Sequence, residues 1–202
     1  MYSPPYNRMA DRTELVAFMQ ANAFAVLVTA DLAASHLPAR VRDTGEQIVI
    51  DLHMAKSNRQ WRVFDASEVL VVFAGPHAYV SPRWYEDKER VPTWNYAAVH
   101  AYGVPKMLDE RSHKHASQRE LVANLDPQWL AEFDALRSEY VDMMLNGIVN
   151  FEIPVSRIET RWKLSQNRGR REMELIAQAL EKSDDSVERA LAALTRKHLP
   201  PK

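Results

Sequence analysis

Apolar residues along the chain fall into short, strand-like runs, interrupted by three regions of helical spacing: near the start, around residues 109–146, and at the end. Leu15, Phe18 and Met19 share a helical face behind Asp11 and Glu14, whose separation matches a capping box. This pattern predicts a first helix ending near Asn22. Residues 23–29 are apolar and read as a strand, 31–35 turn the chain, and 36–42 continue extended. Asp43, Thr44 and Gly45 supply hairpin chemistry. Beyond them Ile48, Ile50 and Leu52 alternate with Val49, Asp51 and His53, as in a half-buried strand. Consecutive strands with short connections predict antiparallel pairing.

Residues 69–74 form an apolar run too short for a helix and closed by Gly75-Pro76, which predicts a buried strand. Further strands are expected over 77–81 and 95–102, with 82–94 as an exposed loop and 104–108 extending the sheet. From 111 to 124 the pattern is helical and polar. Pro127 then opens a helix carrying Trp129, Leu130, Phe133, Leu136, Tyr140, Met143 and Met144 at helical spacing. Strand character returns over 148–153 and 157–164, separated by Pro154. Residues 172–182 and 185–198 follow as amphipathic helices, with Leu175, Ile176, Leu180, Val187, Leu191 and Leu194 on their apolar faces. About seven or eight strands, with helices that do not alternate with them, predict an α+β fold built on a small antiparallel barrel with peripheral helices. The expected organisation is a barrel domain over 1–170, with a helical insertion at about 109–146, and C-terminal helices over 171–202 packed on it.

Composition removes several chemistries. The chain has no cysteine, which excludes disulfides, thiolate metal sites and cysteine nucleophiles. A net charge of -1 provides no global attraction to nucleic acid or anionic lipid. No apolar run approaches membrane-spanning length, and the start lacks a basic flank followed by an apolar stretch, so a soluble cytoplasmic protein without a membrane partner is expected. The glycines, at 45, 75, 103, 147 and 169, are too scattered for a phosphate-cradling loop. Any phosphate must therefore be held by side chains or by a helix N-terminus. The histidines show no metal-ligand spacing, and no GxSxG occurs.

The candidate chemistry sits in three segments. In HMAKSNRQW (53–61), Ser57 or Asn58 can cap a short helix bearing Trp61 and Phe64, with Lys56 beside it, forming an anion corner. After 69–74, His77, Tyr79, Ser81, Trp84, Tyr85, Thr93, Trp94, Asn95 and Tyr96 combine flat faces with polar tips. Such a set suits a planar polar ligand, and equally a core edge or a dimer surface. The third segment is KLSQNR (163–168), within a basic run of Arg157, Arg161, Lys163, Arg168, Arg170 and Arg171. That run suits either nucleic-acid phosphates or a solvated strand face. The acidic connection 181–185 opposes a helix-turn-helix reading of the last two helices.

Together, HLP at 36–38, HMAKSNRQW, GPHAYVSPRWY at 75–85, VPTWNYAAVHAYG at 91–103 and KLSQNR resemble the PaiB-like family of FMN-binding negative transcriptional regulators. The resemblance implies a split β-barrel, usually a homodimer binding FMN between subunits. It would place Lys56, Ser57 and Asn58 at the phosphate and His36 and His53 near the flavin edge. Ser81, Trp84, Tyr85, Thr93, Trp94, Asn95 and Tyr96 would lie around the ring or ribityl chain, and Lys163, Gln166 and Arg168 would complete the site from the second subunit. Lys56 stands where the family pattern carries arginine, which exchanges a bidentate fork for a point charge. The functional expectations are a dimeric FMN-binding regulator acting on DNA directly or through a protein partner; a flavin-dependent oxidoreductase using NAD(P)H; or, without flavin, an aromatic dimer interface.

Overall fold

The computed structural model describes residues 1–64, 67–87 and 89–201. The helices are α1 (Arg12–Ala21), α2 (Arg111–Leu125), α3 (Leu130–Asp134), α4 (Ser138–Asn146), α5 (Gly169–Leu180) and α6 (Ser186–Lys197). The strands are β1 (Phe24–Val28), β2 (Ala34–Pro38), β3 (Arg40–Asp43), β4 (Ile48–Ala55), β5 (Val69–Val80), β6 (Thr93–Gly103), β7 (Lys106–Met107) and β8 (Ile148–Lys163). They form one eight-stranded sheet in the order β2-β1-β5-β6-β8-β4-β3, with β7 paired to β8. The α+β class expected from the sequence is what is found.

Local chemistry sets several boundaries. The Glu14 N–H donates to the Asp11 carboxylate at 2.8 Å, starting α1 as the capping pattern predicts. The β3–β4 hairpin turns through Gly45, whose φ of 86° is open to glycine, while its N–H donates to Asp43 Oδ1 at 2.9 Å. Val187 N–H donates to Asp185 Oδ1 at 2.7 Å and caps α6.

Three strand expectations and one helix expectation need correction. Residues 36–42 are not one strand: β2 pairs antiparallel with β1, β3 pairs antiparallel with β4, and Ala39 lies between them. Pro38, which lacks an N–H, is the last β2 residue of the β1 ladder. Gly75-Pro76 does not end a strand, because β5 runs on to Val80 and its pairing with β1 involves only Leu70, Val71 and Val72. Pro154 likewise lies within β8, at the end of the β4 ladder, opposite Val49, where a missing N–H costs little. Finally, the helix expected from Pro127 breaks into a 3-10 turn, α3 and α4. Its packed residues are Val141 and Leu145, whereas Trp129, Tyr140, Met143 and Met144 are exposed.

By compactness the chain forms two units, the first comprising Met1–Leu15, Ala74–His100 and Glu159–Lys202, the second Val16–Phe73 and Ala101–Ile158. In the second unit, Ile48, Ile50, Leu52 and Met54 of β4 are buried on one sheet face. Phe151 of β8 meets Phe64 edge-on, with ring centroids 4.8 Å apart. The opposite face of β4 is also covered, since Val49 and Asp51 are buried and His53 is half-buried, so this strand is buried on both sides. Asp51 there accepts from Arg40 Nη1 at 3.0 Å, Arg42 Nε at 2.6 Å and Arg42 Nη2 at 2.9 Å. Arg40 also pairs with Glu120 of α2, and Arg42 with Glu152 of β8 at 3.3 Å. This ionic cluster ties α2 to β3, β4 and β8.

Gly103 ends β6 hard against β8. A Cβ there would lie 2.3 Å from the Pro154 carbonyl oxygen and 2.7 Å from Ile153 Cγ2. Gly103→Ala is therefore expected to destabilise the protein by about 1–3 kcal/mol, as overpacking does. A urea titration should show a lower midpoint with an unchanged slope; an unchanged midpoint would refute the crowding.

In the first unit, Ala78, Val80, Ala97, Val99, Trp162 and Leu164 are buried, as are Met173, Ile176 and Leu180 of α5 and Leu191 and Ala192 of α6. Glu14 of α1 pairs with Lys197 at 2.7 Å and with His198 at 2.8 Å, at the end of α6.

Candidate functional site

The second unit holds His36, His53, Lys56, Ser57 and Asn58. The chain turns sharply after β4. The Lys56 N–H donates to the Gly147 carbonyl at 2.8 Å, and the Lys56 carbonyl accepts from Trp61 Nε1 at 3.1 Å. The Lys56 backbone is thus clamped while its side chain is exposed. Among the described residues neither Lys56 Nζ, the Ser57 N–H nor the Ser57 hydroxyl has a hydrogen-bond partner. A cation, a backbone donor and a hydroxyl on adjacent residues fit a phosphate monoester, the anionic end of FMN.

Asn58 plays a different part. Its Oδ1 accepts from the Gln60 N–H at 3.1 Å and its Nδ2 donates to Ser35 Oγ at 2.9 Å, so both ends of the amide are engaged within the unit. The short helix it caps is a 3-10 helix of five residues, Arg59–Val63, too brief to develop an appreciable dipole. The open donors of this corner are therefore those of the Lys56 side chain and of Ser57, with Asn58 as their brace.

Gln60, which the sequence reading passed over, is the hub of this brace. It is buried, and its Nε2 reaches the Leu27 carbonyl (3.3 Å), Thr29 Oγ1 (3.1 Å) and the Ala33 carbonyl (2.9 Å). A polar residue two positions after a capping Asn was its only local signal. His53 lies opposite Asn150 across the β4–β8 ladder, and burial lowers its pKa below the usual histidine value. Asn150 is buried, and its Oδ1 has no hydrogen-bond partner among the described residues. Its appearance inside the apolar run 148–153 marked it as unusual. His36 lies on the exposed face of β2, its ring 5.8 Å from that of Phe24.

The first unit holds the other expected site residues, and they divide by burial. Asn95 is fully buried, its Nδ2 donating to Ser165 Oγ at 2.9 Å. Ser81 is buried and caps the 3-10 helix Pro82–Trp84 by accepting from the Arg83 N–H at 3.3 Å. Tyr85 is buried too, under the Arg168 guanidinium 4.7 Å from its ring centroid, and burial raises its phenol pKa. Trp84 is half-buried. Gln166 bonds the turn to itself, accepting from the Leu164 N–H at 2.8 Å and donating to the Trp162 carbonyl. These groups support the structure. The open surface is formed by Trp94, Tyr79 and His77, with Trp94 50% exposed and its ring centroid 5.9 Å from that of His77 and 6.3 Å from that of Tyr79. Half-buried Tyr96 and Thr93 adjoin them, with Lys163 Nζ donating to Thr93 Oγ1 and to the Trp94 carbonyl, the latter at 2.8 Å.

Residues 1–157 match the family described as "Putative FMN-binding domain". The chain belongs to this FMN-binding family. It is also 37% identical over 210 residues to "Protease synthase and sporulation protein PAI 2" of Bacillus subtilis (strain 168), with 96% of each chain covered. The resemblance to the PaiB-like family drawn from the motifs is thereby borne out, and FMN is the family's cofactor. In fold, the chain is similar to the flavocytochrome Anf3 from Azotobacter vinelandii (TM-score 0.59, 13% identity, 78% of this chain and 69% of that one). It is also similar to the FAD and heme binding protein from Mycobacterium smegmatis (TM-score 0.58, 13% identity, 78% and 73% covered). These likenesses bear out the split-barrel fold. Among the described residues no helix is long and apolar enough to cross a membrane.

Proposed function

We propose that this family member holds the FMN phosphate at the Lys56–Ser57 corner, with Lys56 Nζ and the Ser57 N–H and hydroxyl as its donors. The observation that carries this reading is the set of three donors without internal partners on a backbone clamped by Gly147, Trp61 and Asn58. A braced set of donors loses little freedom when the anion arrives. Bound FMN supplies reversible electron and hydride chemistry; the chain's own residues here bind and orient it.

The protein reads as a homodimeric, flavin-binding negative regulator of transcription, acting on DNA or through a partner protein. The name of the Bacillus subtilis relative, which concerns protease synthesis and sporulation, supports a regulatory output. Dimerisation is supported by an apolar sheet face in the second unit, where Phe24, 71% exposed, lies in line with Val26 and Val28 and, across the ladder, with Leu70 and Val72. Purified protein mixed with FMN and freed of excess by gel filtration should carry a flavin absorption band at one FMN per chain. A colourless protein that takes up none would overturn the reading.

A further inference from the structure

At the end of β8 Thr160 and Trp162 are buried, as is Leu164 just beyond it, and the alternation of a strand puts Arg161 and Lys163 on the other face. Arg161 donates to the Tyr2 carbonyl, and its guanidinium lies 5.3 Å from the Tyr2 ring and 5.5 Å from that of Tyr96. Its Nε is buried and has no hydrogen-bond partner among the described residues. Lys163 donates only to neutral oxygens, those of Thr93 and Trp94. Arg168 rests on the Tyr85 ring. Among the described residues no carboxylate lies within ion-pair distance of any of the three cations. Glu159, next along the same strand face, is engaged by the Met1 ammonium.

Arg161 and Lys163 lie two residues apart on one strand face, and the turn that leads on to Arg168 is held in place. Burial, reinforced by Arg161 and Arg168, pushes the Lys163 pKa down, as expected where cations crowd without a counter-ion. Between Lys163 and Arg168 the chain is fixed by the left-handed Ser165 (φ 67°), by the buried Asn95–Ser165 pair and by the two backbone bonds of Gln166. Half-buried cations fixed in place without an anion are unfavourable until one binds. Trp94, whose carbonyl accepts from Lys163, offers an exposed ring as a stacking surface.

We propose that this face binds a nucleotide bearing adjacent phosphates, with the diphosphate on Arg161, Lys163 and Arg168 and the base stacked on Trp94. A terminal phosphate carries roughly -1.5 to -2 at neutral pH and the bridging one adds another charge, so a diphosphate matches three cations better than a monoester does. The proposal goes beyond the flavin reading, which rests on Lys56 and Ser57. Isothermal titration of the full chain with ADP, with and without saturating FMN, tests it. ADP should bind at one per chain in both cases, and Arg161→Gln, at a residue outside those assigned to the flavin, should weaken it about tenfold or more while FMN affinity stays within about twofold; Lys163→Gln should weaken ADP binding by a similar factor. Arg168→Gln provides a third probe if either variant fails to fold. Absence of ADP binding, ADP affinity indifferent to the substitutions, or displacement of ADP by FMN with a parallel loss of FMN affinity in the variants would each overturn the proposal. The last outcome would assign the cluster to the flavin and leave the flavin reading intact, whereas failure of FMN alone to bind would leave this proposal standing.

Discussion

Asp51→Ala should destabilise the protein by about 3–5 kcal/mol, the cost of breaking a buried ion cluster by removing one partner. Asp51 is 8% exposed and accepts three charge-assisted hydrogen bonds from Arg40 and Arg42. Its hydrogen bond to Arg42 is the leading cause of that guanidinium's raised pKa. Without it, two half-buried guanidiniums would face each other with only Glu120 and Glu152 to balance them. Because whole domains are stable by only about 5–15 kcal/mol, the variant should lose a large share of its stability. Glu120→Ala serves as the contrast. Glu120 is exposed and meets the cluster from outside, so its loss should cost about 0–1 kcal/mol. Urea denaturation of the two variants measures both effects, and equal midpoints would show that Asp51 is not the centre of the cluster.

Much of the fold was legible because alternation and helical spacing are local. Alternating Ile48, Ile50 and Leu52 identified β4, and the Asp11 and Asp185 caps placed the starts of α1 and α6. Prolines misled where their effect depends on a distant partner. Pro154 ends a strand only if its neighbour needs an N–H there, and its position at the end of the β4 ladder cannot be read from residues 148–164. The helical spacing of Trp129, Tyr140 and Met144 was genuine but marked an outward face, since the short helices pack through Val141 and Leu145 instead.

The candidate site was legible as residue types and less so as roles. Lys56 and Ser57 carry open donors as the motif suggested. Asn58, Ser81, Tyr85, Asn95 and Gln166 combine polar tips with places in the internal scaffold, and no local pattern separates a ligand-facing amide from a capping one. Gln60 and Asp51 escaped notice for the same reason. Their partners, Leu27 and Ala33 for one and Arg40 and Arg42 for the other, come together only through the sheet.

Lys56→Ala is the substitution expected to affect flavin binding most. A hydrogen bond between an ammonium and a phosphate is worth about 1.5–3 kcal/mol, so its loss should weaken FMN binding by roughly 10- to 100-fold. Lys56 Nζ has no partner among the described residues, so the fold should not suffer, and the urea midpoint of Lys56→Ala should match that of the unaltered protein. Lys56→Arg should retain most of the affinity, because the charge survives. Riboflavin, which lacks the phosphate, should bind weakly and be indifferent to the change. The most direct measurement is a flavin-fluorescence titration of the unaltered protein and Lys56→Ala with FMN. A Kd raised by roughly 10- to 100-fold in the variant is the predicted result, and equal Kd values for the two proteins would contradict the placement of the phosphate at this corner.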